Sequence, residues 1–250
     1  RQPKALISVR QQCTEAITQC QFEQFLFDRQ WTALKRYANE RGVLMFGGVP
    51  LFVGYDSADV WAQRGVFLLN RDGQCESVAG VPPDYFSTTG QLWGNPHYAW
   101  KRMQADGFQW WKERIRTQLA RFDLLRIDHF RGLEAYWEIP ASAKTAVTGR
   151  WRLAPGDALF QALKAEFGVL PLVAEDLGVI TPEVDALRDA HHLLGTKVLH
   201  FAFGCGANNP YLPHNHLVNS VVYTGTHDNN TTLGWFHELD EVSRKHLFDY

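Results

Sequence analysis

Short apolar runs alternate with amphipathic segments along most of the chain. The runs predict five strands, because apolar stretches of four to eight residues are typical of strands buried on both faces of a parallel sheet. Helices between them would make right-handed crossovers, so we expect an α/β fold with parallel strands. The predicted strands lie at 43–53, 124–127, 170–174, 197–203 and 220–226.

Helix signals occupy the intervals between these strands. Apolar residues recur at near-helical spacing before Gly42, which fits a C-cap, so the first helix should be long and cover the sheet. Asn95-Pro96 and Thr181-Pro182 each place a proline after an N-cap residue type. The predicted helices span 14–39, about 95–121, 157–167 and about 181–195.

Two segments carry no clear helix or strand pattern. A stretch rich in Gly, Pro and aromatic residues predicts a loop insertion at about 64–94, and the residues at about 133–156 are predicted to be irregular. No repeat or low-complexity tract interrupts the chain, and residues 1–250 are expected to belong to one domain.

Composition excludes several classes of protein. Lys and Arg number 25 against 27 Asp and Glu, a net charge of −2, which gives no basic surface for nucleic acid. The longest apolar stretch, 43–55, is shorter than the roughly 20 residues of a spanning helix, and no signal peptide opens the chain, so no membrane partner is expected. The cysteines lack metal or disulfide spacing and predict reduced thiols in a cytoplasmic protein: Cys13, Cys20, Cys75 and Cys205.

Metal and nucleotide sites are not predicted. His191-His192 and His214-x-His216 are the only suggestive pairs, and neither has an acidic partner at metal-binding spacing. No glycine-rich phosphate loop is present, so we expect neither a metal nor a cofactor. Nine Trp residues form a large aromatic content, and flat rings are suited to the apolar faces of sugars.

Three acidic residues follow predicted strands: Asp128, Glu175 and Asp228. Active sites of parallel sheets lie at the strand C-termini, so the three side chains are expected to meet there. Asp and Glu also cap helices and open turns, which is the structural alternative for each residue.

The surroundings of each acid predict a different state. Arg126 and Asp128 share one face of a strand, and a guanidinium keeps a neighbouring carboxylate ionised, although a buried structural ion pair would show the same pattern. Glu175 follows an apolar strand, where burial would raise the pKa of its carboxyl; alternatively it is a charge before the next helix, a role that Asp176 could fill. Asp228 lies in an acid-amide cluster that also suits a turn.

Several motifs together resemble one family, the amylomaltases, which are 4-α-glucanotransferases related to α-amylases. The resemblance runs from about residue 28 to 235. Its motifs are Asp56-Ser57-Ala58-Asp59-Val60-Trp61, Gly80-Val81-Pro82-Pro83-Asp84-Tyr85-Phe86-Ser87, Gly90-Gln91-Leu92-Trp93-Gly94-Asn95-Pro96, Arg126-x-Asp128-His129-Phe130-Arg131-Gly132, Ala174-Glu175-Asp176-Leu177-Gly178 and Gly225-Thr226-His227-Asp228-Asn229.

The resemblance implies a role for each acid. Asp128 would be the nucleophile, Glu175 the general acid/base and Asp228 the transition-state stabiliser that holds sugar hydroxyls. The other expected substrate-binding residues are Asp56, Tyr85, Phe86, Gln91, Trp93, Arg126, His129 and His227.

The implied activity is transfer of α-1,4-glucan segments to the 4-hydroxyl of a glucan or glucose by a retaining double displacement. An amylase-like hydrolase and an inactive glucan-binding fragment are the alternatives. The family has a (β/α)8 barrel of the TIM type, and the five predicted strands correspond to its third through seventh. We therefore expect a partial barrel, a fragment of a longer protein, with maltooligosaccharides as its partners.

Overall fold

The computed structural model describes residues 3–84, 87–204 and 206–250. Tyr85 and Phe86, predicted to bind substrate, and Cys205 lie outside the described residues. The strands are β1 (Phe46–Val49), β2 (Ser77–Val81), β3 (Gln91–Pro96), β4 (Leu124–Ile127), β5 (Ala135–Pro140), β6 (Arg150–Leu153), β7 (Leu172–Ala174), β8 (Gly195–Val198) and β9 (Ser220–Tyr223).

Helices connect these strands and flank them. The part of the chain that the structure describes contains no helix long and apolar enough to cross a lipid bilayer. The α-helices are α1 (Pro3–Gln12), α2 (Thr14–Asn39), α3 (Ala58–Ala62), α4 (Trp100–Ala105), α5 (Gln109–Arg121), α6 (Gly156–Phe167), α7 (Pro182–Ala190), α8 (Thr232–Glu238) and α9 (Glu241–Asp249).

Five parallel strands form the centre of the fold, as the apolar runs predict. They pair in the order β1-β4-β7 and, separately, β8-β9. A parallel bridge between Val173 and Leu194 joins the two groups, and the Ala174 N–H donates to the Leu194 carbonyl at 2.7 Å. The strand order therefore follows the chain order, and the carboxyl ends of neighbouring strands lie side by side.

Four predicted strands have different bounds: 43–53 is β1 at 46–49, 170–174 is β7 at 172–174, 197–203 is β8 at 195–198 and 220–226 is β9 at 220–223. Residues 51–53 are not part of β1, because Leu51 and Phe52 pack in the core and the Leu51 carbonyl accepts from the Tyr98 hydroxyl at 2.6 Å. β8 begins at Gly195 and ends at Val198, and residues 199–201 turn into a 3-10 helix. The apolar run at 197–203 is therefore shared between a strand and a turn.

The first predicted helix has the expected bounds as α2, but it does not cover the sheet. None of its residues is buried, and Phe22 and Phe25 are each more than half exposed. Its contacts with the segment at 121–123 run along one side of the helix: the Trp31 indole N–H donates to the Arg121 carbonyl at 2.8 Å, and Lys35 Nζ lies 3.1 Å from Asp123 Oδ1. The covering role predicted for this helix is therefore wrong within the described residues.

The helix predicted over about 95–121 is also wrong at its start. Asn95 and Pro96 lie in β3, and the helical residues divide into α4 and α5. Gly107 and Phe108 separate the two helices with φ of +71° and +59°, a left-handed conformation that a helix cannot continue through. The helix predicted over about 181–195 is α7, which ends at Ala190 and is therefore shorter than predicted.

A second sheet, antiparallel, occupies the two segments predicted to be loop and irregular. Its strand order is β3-β2-β5-β6, so β2 and β3 from 64–94 join β5 and β6 from 133–156. Gly90 turns the chain between β2 and β3 with φ of +66°, and a Cβ there would lie 2.3 Å from the Val81 carbonyl oxygen. The prediction of a loop insertion and an irregular segment without strands is therefore wrong, because both contribute to one antiparallel sheet.

Candidate active site

Asp128 directly follows β4, and the sheet fixes its backbone. Its N–H donates to the Val49 carbonyl of β1 at 2.9 Å. The Arg126 guanidinium Nη1 donates to Asp128 Oδ1, as expected for side chains on one face of a strand. The Asp128 side chain is 44% exposed, against 17% for Arg126. The pair is therefore not the buried structural one of the alternative: its carboxylate is open to solvent and its cation lies behind it.

His129 turns the chain after Asp128 and connects two of the acids. Its φ of +53° and ψ of +47° are left-handed, and its N–H donates to Glu175 Oε2 at 2.7 Å. The Phe130 N–H donates to the Glu175 carbonyl at 3.0 Å, and the Glu175 N–H donates to the Ile127 carbonyl at 3.0 Å. Three hydrogen bonds thus hold Glu175 against the loop that carries Asp128.

Glu175 has the perturbed carboxyl predicted from its apolar strand. Burial raises the pKa of Glu175 to about 7, while the Arg126 charge and the His129 N–H partly oppose the rise. A carboxyl with a pKa near neutrality can both donate and accept a proton under the same conditions. The alternative of a helix-capping charge is wrong for Glu175, because α7 begins only at Pro182.

Asp176 does not cap a helix either. Its side chain is 1% exposed and accepts from Arg188 Nη1 at 2.5 Å and from the Thr196 N–H at 2.6 Å. It therefore connects the end of β7 to α7 and β8, and stabilises the segment on which Glu175 lies.

The His129 side chain is neutral and faces Trp93. Burial, with the nearby Arg131 charge, lowers the pKa of His129 to about 4. Its Nε2 is buried and has no hydrogen-bond partner among the described residues. The ring meets Trp93 edge-on with centroids 4.8 Å apart. The αL backbone and this packing place an uncharged ring beside the acids.

Asp228 combines a turn with an exposed carboxylate. Asn229 Oδ1 accepts from both the N–H and the hydroxyl of Thr226, at 2.9 and 3.0 Å, which closes the turn predicted by the alternative. The Asp228 side chain nevertheless remains 73% exposed. The amide of Asn229 forms the turn, and the carboxylate of Asp228 is left available.

One cavity of about 510 Å³ collects most of the predicted site. It contains all three acids, and the predicted residues Gln91, Trp93, Arg126 and His129 also line it. Other lining residues belong to the quoted motifs but were given no role there: Val81, Pro82, Asp84, Arg131, Leu177, Gly178, Thr226 and Asn229. The sequence analysis did not single out Trp151, Val179 and Phe201, which also line the cavity.

Two predicted substrate-binding residues lie elsewhere. Asp56 is exposed and does not line this cavity. His227 is 3.4 Å from Asp228 but lines a neighbouring hollow with Phe46 and Arg126. The roles of Asp56 and His227 stay predictions.

The paired histidines considered as metal ligands have other contacts. His191 Nε2 lies 2.9 Å from Asp157 Oδ1, and His214 lies between the Tyr250 hydroxyl and the Ala207 carbonyl. Over residues 3–84, 87–204 and 206–250 no three His, Cys, Asp or Glu side chains form a cluster that could hold a metal ion.

Known proteins resemble this chain over its whole length. The family model described as 4-alpha-glucanotransferase matches residues 1–250. A 4-alpha-glucanotransferase of Thermus thermophilus is 55% identical over 238 residues, which are 94% of this chain and 48% of that protein. One from Synechocystis sp. is 52% identical over 253 residues, covering 100% of this chain and 50% of that protein.

A solved structure shows the same architecture. The amylomaltase from Streptococcus agalactiae in complex with acarbose superposes with a TM-score of 0.97 at 40% identity, over 100% of this chain and 51% of that one. The amylomaltase from Corynebacterium glutamicum, at 23% identity and a TM-score of 0.74, shares the fold. The chain spans about half the length of the curated relatives it matches.

Proposed function

The chain belongs to the 4-alpha-glucanotransferase family, and on that premise we propose that the protein transfers α-1,4-glucan segments to the 4-hydroxyl of an acceptor glucan or glucose. The observation that carries the proposal is the hydrogen bond from the His129 N–H to Glu175, which joins a carboxyl of raised pKa to the loop of an arginine-paired carboxylate. A retaining mechanism needs an acid of raised pKa beside a nucleophilic carboxylate, and this hydrogen bond brings the two residues together.

In the first half of the proposed reaction, protonated Glu175 gives its proton to the glycosidic oxygen of the donor. Asp128 attacks the anomeric carbon as the bond to that oxygen breaks, which forms a glucosyl ester and releases the shortened glucan. Arg126 donates to Asp128 and orients its carboxylate for the attack. Asp228 accepts hydrogen bonds from sugar hydroxyls in the transition state.

In the second half, Glu175 is ionised and takes the proton of the acceptor 4-hydroxyl as that oxygen attacks the anomeric carbon of the glycosyl ester. The ester bond breaks, Asp128 is regenerated as a carboxylate, and Glu175 is again protonated. Transfer exceeds hydrolysis when an acceptor is bound and water is kept out. We propose that Trp93 and Gln91 of β3 contribute to this enclosure, with Tyr85 and Phe86 of the same segment.

The proposed architecture is a (β/α)8 barrel to which this chain contributes the third through seventh strands. The parallel order of β1, β4, β7, β8 and β9 and the match to a structure twice as long support it. α-1,4-Glucans and maltooligosaccharides are the proposed substrates, and the acarbose complex of the Streptococcus agalactiae relative is consistent with a sugar-binding cavity.

Incubation of the full-length protein with maltotriose, followed by chromatography, tests the proposal. A ladder of longer maltooligosaccharides together with glucose supports transfer. Formation of shorter sugars alone indicates hydrolysis. An unchanged substrate favours the alternative of a protein that binds glucan without catalysis.

Asp128→Asn and Glu175→Gln should each lower the transfer rate by a factor on the order of 10³. Asp72→Asn, at an exposed residue that does not line the cavity, is the matched control and should leave the rate unchanged. A transfer rate retained in either of the first two variants contradicts the assigned roles.

A further inference from the structure

Trp151 is an exposed tryptophan in the wall of the catalytic cavity. It lies on β6, the edge strand of the antiparallel sheet, and it lines the same cavity as Asp128 and Glu175. Its residue is 38% exposed, whereas Trp110 and Trp111 of the core are 5% and 1% exposed. Trp151 therefore has a flat apolar surface open to whatever occupies the cavity.

A buried arginine supports the Trp151 ring. The Arg131 guanidinium carbon lies 3.7 Å from the ring centroid, and Arg131 is only 5% exposed. Arg131 Nη1 donates to the Val179 carbonyl at 3.0 Å. Arg131 thus bridges the loop after β4 and the loop after β7, which carry the two reacting carboxyls, and Trp151 rests on that bridge.

A second tryptophan fixes the ring from the neighbouring strand. Trp137 of β5 is the direct cross-strand partner of Trp151, with ring centroids 5.1 Å apart and planes at 66°. Trp137 is itself held, since its indole N–H donates to the Ala146 carbonyl at 2.8 Å. Gly149 allows this packing, because a Cβ there would lie 2.1 Å from Trp137 Nε1. The orientation of Trp151 is therefore set before any ligand binds.

We propose that Trp151 is a stacking platform for a glucose ring of the bound glucan, away from the bond that is broken, and that it makes the enzyme favour longer donors. The inference rests on the proposed function. The apolar face of a glucose ring matches an exposed indole, and a ring already held by Arg131 and Trp137 loses little side-chain entropy on binding. A donor too short to reach Trp151 gains nothing from it.

Binding of maltoheptaose and maltotriose to the full-length Glu175→Gln protein, measured by calorimetry, tests the platform without turnover. Trp151→Leu should weaken maltoheptaose binding about tenfold, because it removes the flat ring, and should change maltotriose binding less than about twofold. Trp151→Phe keeps a ring and should restore most of the affinity. Trp61 is an exposed tryptophan that does not line the cavity, so Trp61→Leu should bind maltoheptaose as tightly as the Glu175→Gln protein without a further substitution.

Thermal unfolding of each variant separates the platform from a structural role, since Trp151→Leu and Trp151→Phe should unfold alike while binding differently. Equal maltoheptaose affinity in Trp151→Leu and Trp61→Leu overturns the platform. If the two affinities are equal but the protein without substitutions still forms the maltooligosaccharide ladder, only this inference fails and the proposed function stands. If it forms no ladder and binds no maltoheptaose, the proposed function fails with it.

Discussion

Glu175 and Asp128 are both carboxyls at strand ends, and their neighbours make them different acids. Asp128 pairs with Arg126 and is open to the cavity, whereas Glu175 is more enclosed and accepts the His129 backbone N–H on one oxygen. Burial outweighs that hydrogen bond and the Arg126 charge at Glu175, so the pKa of Glu175 rises to about 7. The proposed roles, nucleophile for Asp128 and general acid/base for Glu175, therefore depend on a few contacts around each residue.

The raised pKa of Glu175 predicts the pH dependence of both activity and stability. In the free enzyme kcat/KM should fall as pH rises above about 7, because Glu175 loses the proton that it donates. The free energy of unfolding should decrease as pH rises from the ordinary value of 4.5 to about 7, since the folded state holds the proton more tightly than the unfolded state.

Rate profiles and urea denaturation between pH 4 and 8 measure the two effects. In Glu175→Gln this contribution to the pH dependence of unfolding should be absent. An unfolding free energy that depends on pH equally in both proteins would show that the carboxyl is not buried as described.

Arg126 contacts Asp128 and also lowers the pKa of Glu175, so its replacement should affect both acids. Arg126→Met should reduce kcat on the order of 100-fold through Asp128 and shift the alkaline limb of the rate profile to higher pH through Glu175. Arg126→Lys keeps the charge and should leave the limb near its original position, although kcat falls. An alkaline limb that stays in place in Arg126→Met contradicts the coupling.

At the scale of elements, the sequence predicted what depends on local pattern. The strand before Asp128 is confirmed at 124–127, because a continuous apolar run is a strong signal for a buried parallel strand. The antiparallel sheet was missed because β2 and β3 contain glycine and because its central pairing, of β2 with β5, joins residues as far apart in the chain as Ser77 and Pro140. Asn95-Pro96 has the composition of a helix start, but pairing of β3 with β2 overrides it.

The candidate site follows the same division. The position of Asp128 and Glu175 at the cavity could be predicted, since each directly follows a strand whose neighbours lie beside it in the sheet. Asp228 lies farther from its strand, in the turn after Tyr223. Trp151 could not be assigned to the cavity, because its placement depends on β6, an edge strand inside a segment with no regular pattern. The alternation of Arg150, Trp151 and Arg152 is the one sequence signal that could have indicated a strand there.

The ion pair of Asp176 and Arg188 should be the most sensitive contact between α7 and the sheet. Asp176→Asn should lower the free energy of unfolding by about 3–5 kcal/mol, because it leaves the Arg188 charge buried and incompletely paired. Asp189→Asn removes another partner of Arg188, but that side chain is 63% exposed, so its effect should stay below about 1 kcal/mol. Urea denaturation of both variants measures the difference, and equal losses would contradict the assignment.

At the scale of the whole molecule, the described chain has exposed apolar surface and unpaired strand edges. Among the described residues β1 pairs with β4 alone and β9 with β8 alone. Phe22, Phe25 and Leu34 of α2 are half exposed or more. Unpaired parallel strands and apolar helix faces of this kind favour association with another chain or segment.

The 250-residue polypeptide expressed alone should therefore self-associate. Sedimentation velocity should show larger species as the concentration rises to about 100 µM. Phe22→Glu combined with Phe25→Glu should reduce this association, whereas Lys4→Glu on α1 is a control of similar charge that leaves the apolar face intact. A polypeptide that remains a monomer over the whole range would contradict the expectation.

The antiparallel sheet has one further consequence, for how the protein can be altered. Strands β2 and β3 precede β4 in the chain, and β5 and β6 follow it. The two halves of the antiparallel sheet are therefore separated in the sequence by β4, the strand that leads to Asp128. Neither half can be removed or transferred to a related protein by itself, because β2 of one half pairs with β5 of the other. Loop exchange between relatives should therefore succeed only when the whole stretch from β2 to β6, which includes β4, is exchanged as one unit.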